Sequence, residues 1–460
     1  MLWFNPMRTT KYPDALAGWQ PDFSIRIRPA SKVEPTPALR HPVWSNCTLP
    51  VIVYSDYLYN YKMFMTHVLP GVDDLFRVKQ AFKDGTATIA LATPAGLALE
   101  PYHALTLSAY SRRPVVPLSE LGRRGMEATA ADWAGEGVRV HCYNRVIACK
   151  LRNGNSVSPA AAAAVVENMN KLPGLALPED PLGFGGPLVP GSDTLRVVIE
   201  ARTGGWRTIK NTQDILNACN AAGASFSAAQ FKRIVCKLLP RSYDTSPPVT
   251  GPALLSSAGA KAYRDAVAAV RSAHLFVATA GTTVAHAFFM QPEAGAGLIE
   301  VRPCGWGTKW SDKSNGDQDS MAVQLGKDDS VRYFAYNVED PSQCSPPDYE
   351  PELRAVMAAN NGTMPLPVVH QLADKSPPRY TPEALMSRDQ HVSPKPGPLL
   401  DFIRHAAALL VDKAAYQAAR NDRRVHGYAV AQGVLLAEAG VKDAGAAAAG
   451  ADPTHMLRAP

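Results

Sequence analysis

The stretch of this sequence most able to do chemistry runs from Leu275 to Met290, where LFVATAGTTVAHAFFM sets an apolar strand before Gly281, Thr282 and Thr283 and then a helix. A strand that ends in small residues and turns into a helix aims backbone amides and the positive helix end at an anion. Gly281 lets the backbone come close to a diphosphate, and the hydroxyls of Thr282 and Thr283 add donors without a metal. An ordinary strand-to-helix turn, with a glycine kept for packing, would read the same way. Arg202 and Arg207 stand at the end of an earlier strand, TLRVVIEAR. Their planar guanidinium forks suit phosphate oxygens and stay charged, although the commoner fate of arginine is a surface ion pair.

Three more groups are candidates. His67 lies on an apolar helix and His286 on the anion-facing one. Imidazole titrates near neutrality, which suits proton transfer or contact with a diphosphate, whereas a packed, hydrogen-bonded histidine is the plainer alternative. Glu300 ends the GLIEV strand, where a carboxylate can accept hydrogen bonds from a ribose or simply be a strand-end charge. Asp317-Gln318-Asp319 has the carboxylate spacing that holds a hard cation, but it sits in the polar run SDKSNGDQDS and reads as a solvated loop. No metal is expected to be required. The chain has no Walker-A run, no GxSxG elbow and no HExxH, which disfavours an NTPase, a hydrolase of the elbow type and a zincin.

The elements that must position these groups follow from apolar periodicity. Residues 1–44 are rich in proline and arginine and read as an irregular arm. Between 45 and 172, the short apolar runs LPVIVY, TATIALATP and VRVHCYNRVIAC alternate with helix-length segments, the last being SPAAAAAVVENMNKL. That alternation predicts a parallel sheet covered by helices. PGLALPEDPLGFGGPLVPGSD, residues 173–193, is too dense in proline and glycine for a helix or strand interior, so it reads as the linker between domains. A second α/β unit spans 194–305. In it Asn211 and Asp214 resemble a capping box, opening a helix that stops near Gly223. Residues 306–397 read as an irregular wrap or flap. Within the helical extension 398–436, residues 398–421 form one amphipathic helix, and the alanine-rich tail 437–460 is expected to be disordered.

At 460 residues and 46% hydrophobic content the chain can bury more than one core. Its net charge of +6 is spread along the sequence, which does not mark a polybasic nucleic-acid binder. Seven cysteines without a CxxC pair argue against a zinc ribbon and leave room for one or two disulfides. No apolar stretch has the length of a signal peptide or a membrane span, so no membrane partner is expected.

The order of elements from Ala273 to Pro303 resembles the C-terminal signature of the family 61 glycosyltransferases. In that signature a strand, a glycine turn, a helix with a phenylalanine-rich end, a proline turn and an "LIEV-P" strand succeed one another. IEARTGGWRTIKNTQDIL is similar to the family's strand-arginine-loop-arginine-asparagine-helix element, carried here by Arg202, Arg207 and Asn211. YNYKMFMTHVLPGVDDLF and VRVHCYNRVIACKL resemble two further elements, so the likeness covers roughly residues 45–305. Four signature positions differ. Met63 and Ala280 stand where the family usually has histidine, His67 where it has aspartate, and His286 where it has asparagine.

The resemblance implies a GT-B fold of two facing Rossmann-like domains, acceptor side first, with the substrate cleft between them. It implies inverting transfer of a sugar from a nucleotide donor such as a UDP-sugar to a glycan or glycoprotein in the Golgi or endoplasmic reticulum lumen. Arg207 is then expected on the diphosphate, with Arg202 supporting it or making a second phosphate contact. Asn211, Gly281, Thr282, Thr283, His286 and Glu300 are expected around the donor, and His67 as the base. The alternative implied by the departures is a catalytically degenerate relative that binds nucleotide or glycan, or scaffolds a partner enzyme.

Overall fold

A computed structural model describes residues 43–45, 48–54, 58–78, 87–93, 98–118, 121, 141–143, 146–150, 158–239, 254–304, 320–326, 328–338, 340–359, 389–421, 430–431 and 434–435. The apolar runs become strands because the chain can bury them on both faces. β3 (Ala87–Leu91), β9 (Leu275–Thr279) and β10 (Ala296–Arg302) are buried at every position. That is the pattern of a parallel sheet covered on both sides.

Two such sheets form, each wholly parallel. β2 (Leu49–Tyr54), β3, β4 (Val116–Pro117) and β6 (Ile147–Lys150) lie in the order β4-β3-β2-β6. β7 (Thr194–Ile199), β8 (Arg233–Leu238), β9, β10 and β11 (Val331–Asn337) lie in the order β11-β10-β9-β7-β8. In chain order this second sheet reads 2-1-3-4-5, with its direction of winding reversing between β7 and β9. β1 (Val43–Ser45) pairs separately with β5 (His141–Tyr143). The architecture is α/β and compatible with two Rossmann-like domains.

The second sheet reaches past residue 305. β11 lies in what the sequence presents as an irregular stretch, because VRYFAYN is a short run read against polar flanks. It completes the sheet only once the helix Ser320–Leu325 has carried the chain across. The 398–421 segment also differs from the expected single helix. It breaks at Asp412, whose extended backbone ends the helix Pro396–Val411 and whose carboxylate accepts from Ala415 N at 2.8 Å to start Lys413–Asn421. No helix among the described residues is long and apolar enough to cross a membrane.

Helices from both halves meet in one continuous core. Phe64, Val68 and Val165 belong to the same buried cluster as Val267, Phe276 and Phe288. The helix of residues 61–78 touches the segment Thr283–Phe289, and the helices Pro101–Leu107 and Ser158–Lys171 pack against Ala258–Arg271 and Thr283–Phe289 respectively. The 61–78 helix widens into π turns at 64–68 and 74–78; the first precedes Pro70, whose ring cannot tolerate ordinary α spacing to the preceding turn. The far face of the second sheet is covered by the helices Thr212–Ala222 and Pro396–Val411. Disulfides Cys219–Cys236 and Cys304–Cys344 fasten, respectively, the Thr212–Ala222 helix to β8 and the end of β10 to β12 (Cys344–Ser345). Val43 and Trp44, at the end of the stretch 1–44 read as an irregular arm, belong to β1, whereas residues 1–42, the Asp317-Gln318-Asp319 triplet and the tail from 437 lie outside the described residues.

Candidate functional site

Where β7 and β9 end side by side, the chains leaving them part in opposite directions, which is where ligands enter doubly wound sheets. Glu200 follows β7 directly and is 3% exposed. Its backbone N–H still donates to Val277 O at 2.8 Å, so the side chain sits at the lip of the sheet. Oε2 of Glu200 accepts from Thr279 N at 2.8 Å, and the Thr279 hydroxyl lies 2.8 Å both from that oxygen and from Arg207 O. Its other oxygen, Oε1, is buried with no hydrogen-bond partner.

Two residues on, Arg202 folds over the turn that follows β9. A Cβ placed on Gly281 would lie 2.6 Å from Nη1 of Arg202, so the guanidinium occupies the space that the glycine leaves open. That Nη1 is buried and has no hydrogen-bond partner. A buried cationic donor left unsatisfied is costly, and an anion is the partner that relieves it.

Arg207 is held differently. It adopts the left-handed conformation at φ 51°, which a non-glycine residue keeps only when its surroundings impose it. Its backbone N–H donates to Asp389 O at 3.1 Å, Nη1 donates to Ala280 O at 3.3 Å, and Nε lies 3.2 Å from Asp389 Oδ1. Tyr349 OH donates to the other Asp389 oxygen at 2.9 Å. The side chain expected on the diphosphate is therefore occupied by protein partners. Of the two arginines, it is Arg202 that keeps a free buried donor.

Asp389 belongs to a segment that lies along the Arg207–Asn211 stretch as an extra strand. Lys210 N donates to Val392 O and Val392 N to Thr208 O, both at 2.9 Å. β13 (His391–Val392) pairs on its other side with β12. His391 is 1% exposed; Thr208 N donates to its Nδ1 at 3.3 Å, and its Nε2 lies 3.1 Å from Asp348 Oδ1. Burial first, then the Lys210 charge and that of Arg202, lower its pKa, with Asp348 acting in opposition. Asn211 serves the same strap. Its side-chain amide donates to Pro394 O at 2.8 Å, and it makes no side-chain cap on the helix Thr212–Ala222. The capping-box spacing is present, but the strap takes the side chain.

The remaining expected residues are placed elsewhere or in altered form. Thr283–Phe289 is a seven-residue 3₁₀ segment rather than an α-helix, buried throughout. With β-branched Thr282, Thr283 and Val284 at its start and so few residues, it has no aligned stack of peptides to supply a helix dipole. Thr282 is half-buried and Thr283 buried at its head.

His286 points away into an aromatic enclosure, with ring centroids 4.9 Å from Tyr61 and 5.8 Å from Tyr263, whose hydroxyls lie 3.2 Å apart. Its Nδ1 lies 3.1 Å from Thr283 O, and burial, partly offset by that bond, pushes its pKa down to about 4. Glu300 is engaged: Arg302 Nη2 lies 3.3 Å from its Oε2, the Tyr333 hydroxyl donates to the same oxygen, and Arg302 Nη2 donates to Tyr333 OH at 2.7 Å. All three side chains are buried. His67 is half-buried in the first π turn of the 61–78 helix. Tyr61, on the same helix, reaches the Thr283–Phe289 segment, and His67 stands in the π turn that follows it.

The structure thus brings Arg202, Arg207, Asn211 and Gly281 together and adds Glu200, Asp348, Tyr349, Asp389 and His391. Glu200 carries a sequence signal, an acid directly after an apolar strand and two residues before Arg202. The others come from the 340–395 region and carry none. Among the described residues no group of histidine, cysteine, aspartate or glutamate is arranged to hold a metal ion. In comparison with known proteins, no family model matches the chain and no curated protein matches it.

Proposed function

We propose that this protein is an inverting glycosyltransferase of the GT-B type, moving a sugar from a nucleotide donor, a UDP-sugar, to a glycan or glycoprotein acceptor. One observation carries the reading: the buried, unpartnered Nη1 of Arg202 lies against Gly281 at the point where β7 and β9 part. Such transfer requires a leaving diphosphate to be stabilised as the bond to the sugar breaks, and a preorganised guanidinium in a low-dielectric crevice does that. Arg207, locked onto Ala280 O and Asp389, frames the turn. His67 is the proposed base for the acceptor hydroxyl. The charge stabilisation comes from arginine, so the reading invokes no metal. The Golgi or endoplasmic reticulum lumen is the proposed location, a setting in which disulfides such as Cys219–Cys236 and Cys304–Cys344 persist.

A catalytically degenerate binder of nucleotide or glycan is the second reading, and one observation favours it. His286, a position where the resembled family has another polar side chain, is enclosed by Tyr61 and Tyr263, and Ala280 offers no side-chain donor at the turn. Thermal-shift measurements with UDP and several UDP-sugars, followed by UDP-release assays with glycan acceptors, separate the two. Stabilisation with turnover supports the enzyme, stabilisation without turnover the nucleotide binder, and no stabilisation by any nucleotide removes both of these. Arg202→Ala is expected to weaken UDP binding about tenfold or more, the size of a charge-assisted hydrogen bond. Unchanged affinity would take Arg202 out of the site.

A further inference from the structure

We propose that Glu200 reads the ribose diol of the nucleotide, making the crevice a ribonucleotide site of two poles; this rests on the donor-site reading above. Two buried polar atoms at the end of the second sheet have no partner, and they are of opposite kind. Nη1 of Arg202 is a cationic donor and Oε1 of Glu200 an anionic acceptor. Both groups bear on the same short turn, since Oε2 of Glu200 is anchored by Thr279 N at 2.8 Å and Nη1 of Arg202 lies 2.6 Å from where a Gly281 Cβ would stand.

Thr279 and Gly281 are two residues apart, at most about 7 Å by backbone reach. Both atoms flank one turn, so a ligand that satisfies them carries an anionic oxygen and, elsewhere on the same molecule, a hydrogen-bond donor. A phosphate and the diol of one ribose meet that requirement. An ionised carboxylate accepts and never donates, so Glu200 repels phosphate and selects hydroxyl. Acidic side chains at strand ends hold ribose hydroxyls in this way in doubly wound sheets. Thr279 fixes the rotamer, because its amide and hydroxyl both approach Oε2 and leave Oε1 as the free oxygen.

Glu300, the other acid at a strand end, cannot serve. Arg302 and Tyr333 occupy it, and strand periodicity puts Glu300 and Arg302 on one face of β10.

Isothermal titration calorimetry of the full chain with UDP, 2′,3′-dideoxy-UDP and pyrophosphate, in the parent, Glu200→Gln and Arg202→Ala forms, tests this. The parent is expected to bind UDP about tenfold more tightly than the dideoxy analogue, the worth of a hydrogen bond to a charged group. Glu200→Gln should erase that difference by weakening UDP alone, and should leave pyrophosphate equally or more tightly bound because a nearby negative charge is gone. Arg202→Ala should weaken all three. Equal loss of pyrophosphate and UDP in Glu200→Gln would mark a merely structural residue and overturn the proposal. So would equal binding of UDP and its dideoxy analogue by the parent, a comparison that needs no variant to fold. If the parent binds UDP and Arg202→Ala weakens it while the diol makes no difference, the donor site stands and only the Glu200 role falls. Absence of UDP binding removes the site and this inference together.

Discussion

The two arginines show how little residue type alone settles. Arg202 and Arg207 flank the same loop, yet Arg207 is committed to Asp389 and Ala280 O, whereas Arg202 retains a buried donor against Gly281. That placement makes Gly281 a sharp test. In Gly281→Ala the methyl group would stand 2.6 Å from Nη1 and would push the guanidinium aside. A long side chain yields cheaply, so the melting temperature should stay within a few degrees of the parent's while UDP affinity falls by about tenfold, as for loss of the arginine contact. A titration showing parental affinity would mean that the guanidinium does not act from that position. Gly281, Arg202 and Arg207 are recognisable from type and context, but which arginine is spent on the protein depends on Asp389, far along the chain.

At the scale of elements, the strap formed by β12 and β13 holds the Arg207 loop beside the candidate site. Asp389 links Tyr349 OH to Arg207 Nε, and Arg207 in turn donates to Ala280 O beside the turn after β9. The Arg207 and Asp389 side chains are 15% and 7% exposed, so removing the charge of one leaves the other poorly solvated. Asp389→Asn should cost about 3 kcal/mol of stability, the usual penalty for breaking a buried pair, and should also loosen UDP binding. Urea unfolding and calorimetry check the two effects, and a variant as stable as the parent would show the strap to be peripheral. The strap was not legible in the sequence. His391 and Val392 form a strand too short to show periodicity, and what holds them is pairing with Thr208, Lys210 and β12.

For the whole molecule, buried histidines give a pH dependence whose sign is fixed. Burial holds His103, His274 and His286 at pKa values of about 4, with Arg196 adding to the effect at His274 and bonds to Leu58 O and Thr283 O opposing it at His103 and His286. In the unfolded chain each titrates near 6.5. Between those values the unfolded state binds protons that the folded state does not, so stability is fully present above about pH 6.5 and falls as the pH drops towards 4. Each histidine contributes roughly 2 kcal/mol of that loss between pH 6.5 and 5. Thermal melts across this range should show a steep fall, and His103→Gln should reduce its slope. A melting temperature flat from pH 7 to 5 would contradict the buried, neutral state of these rings.

The strands β2, β3, β7, β9 and β10, the irregular stretch 173–193 dense in proline and glycine, and the turn at Gly281 are determined locally. They rest on apolar runs and on residues whose backbone preferences act within a few positions, and those preferences are present in the sequence itself. Strand order, the reversal between β7 and β9, the return of residues 340–395 to the Arg207 loop, and the occupancy of Glu300 against the freedom of Glu200 are decided by tertiary structure. These depend on which distant side chains satisfy which buried polar groups. No local pattern specifies that accounting before the chain has closed on itself.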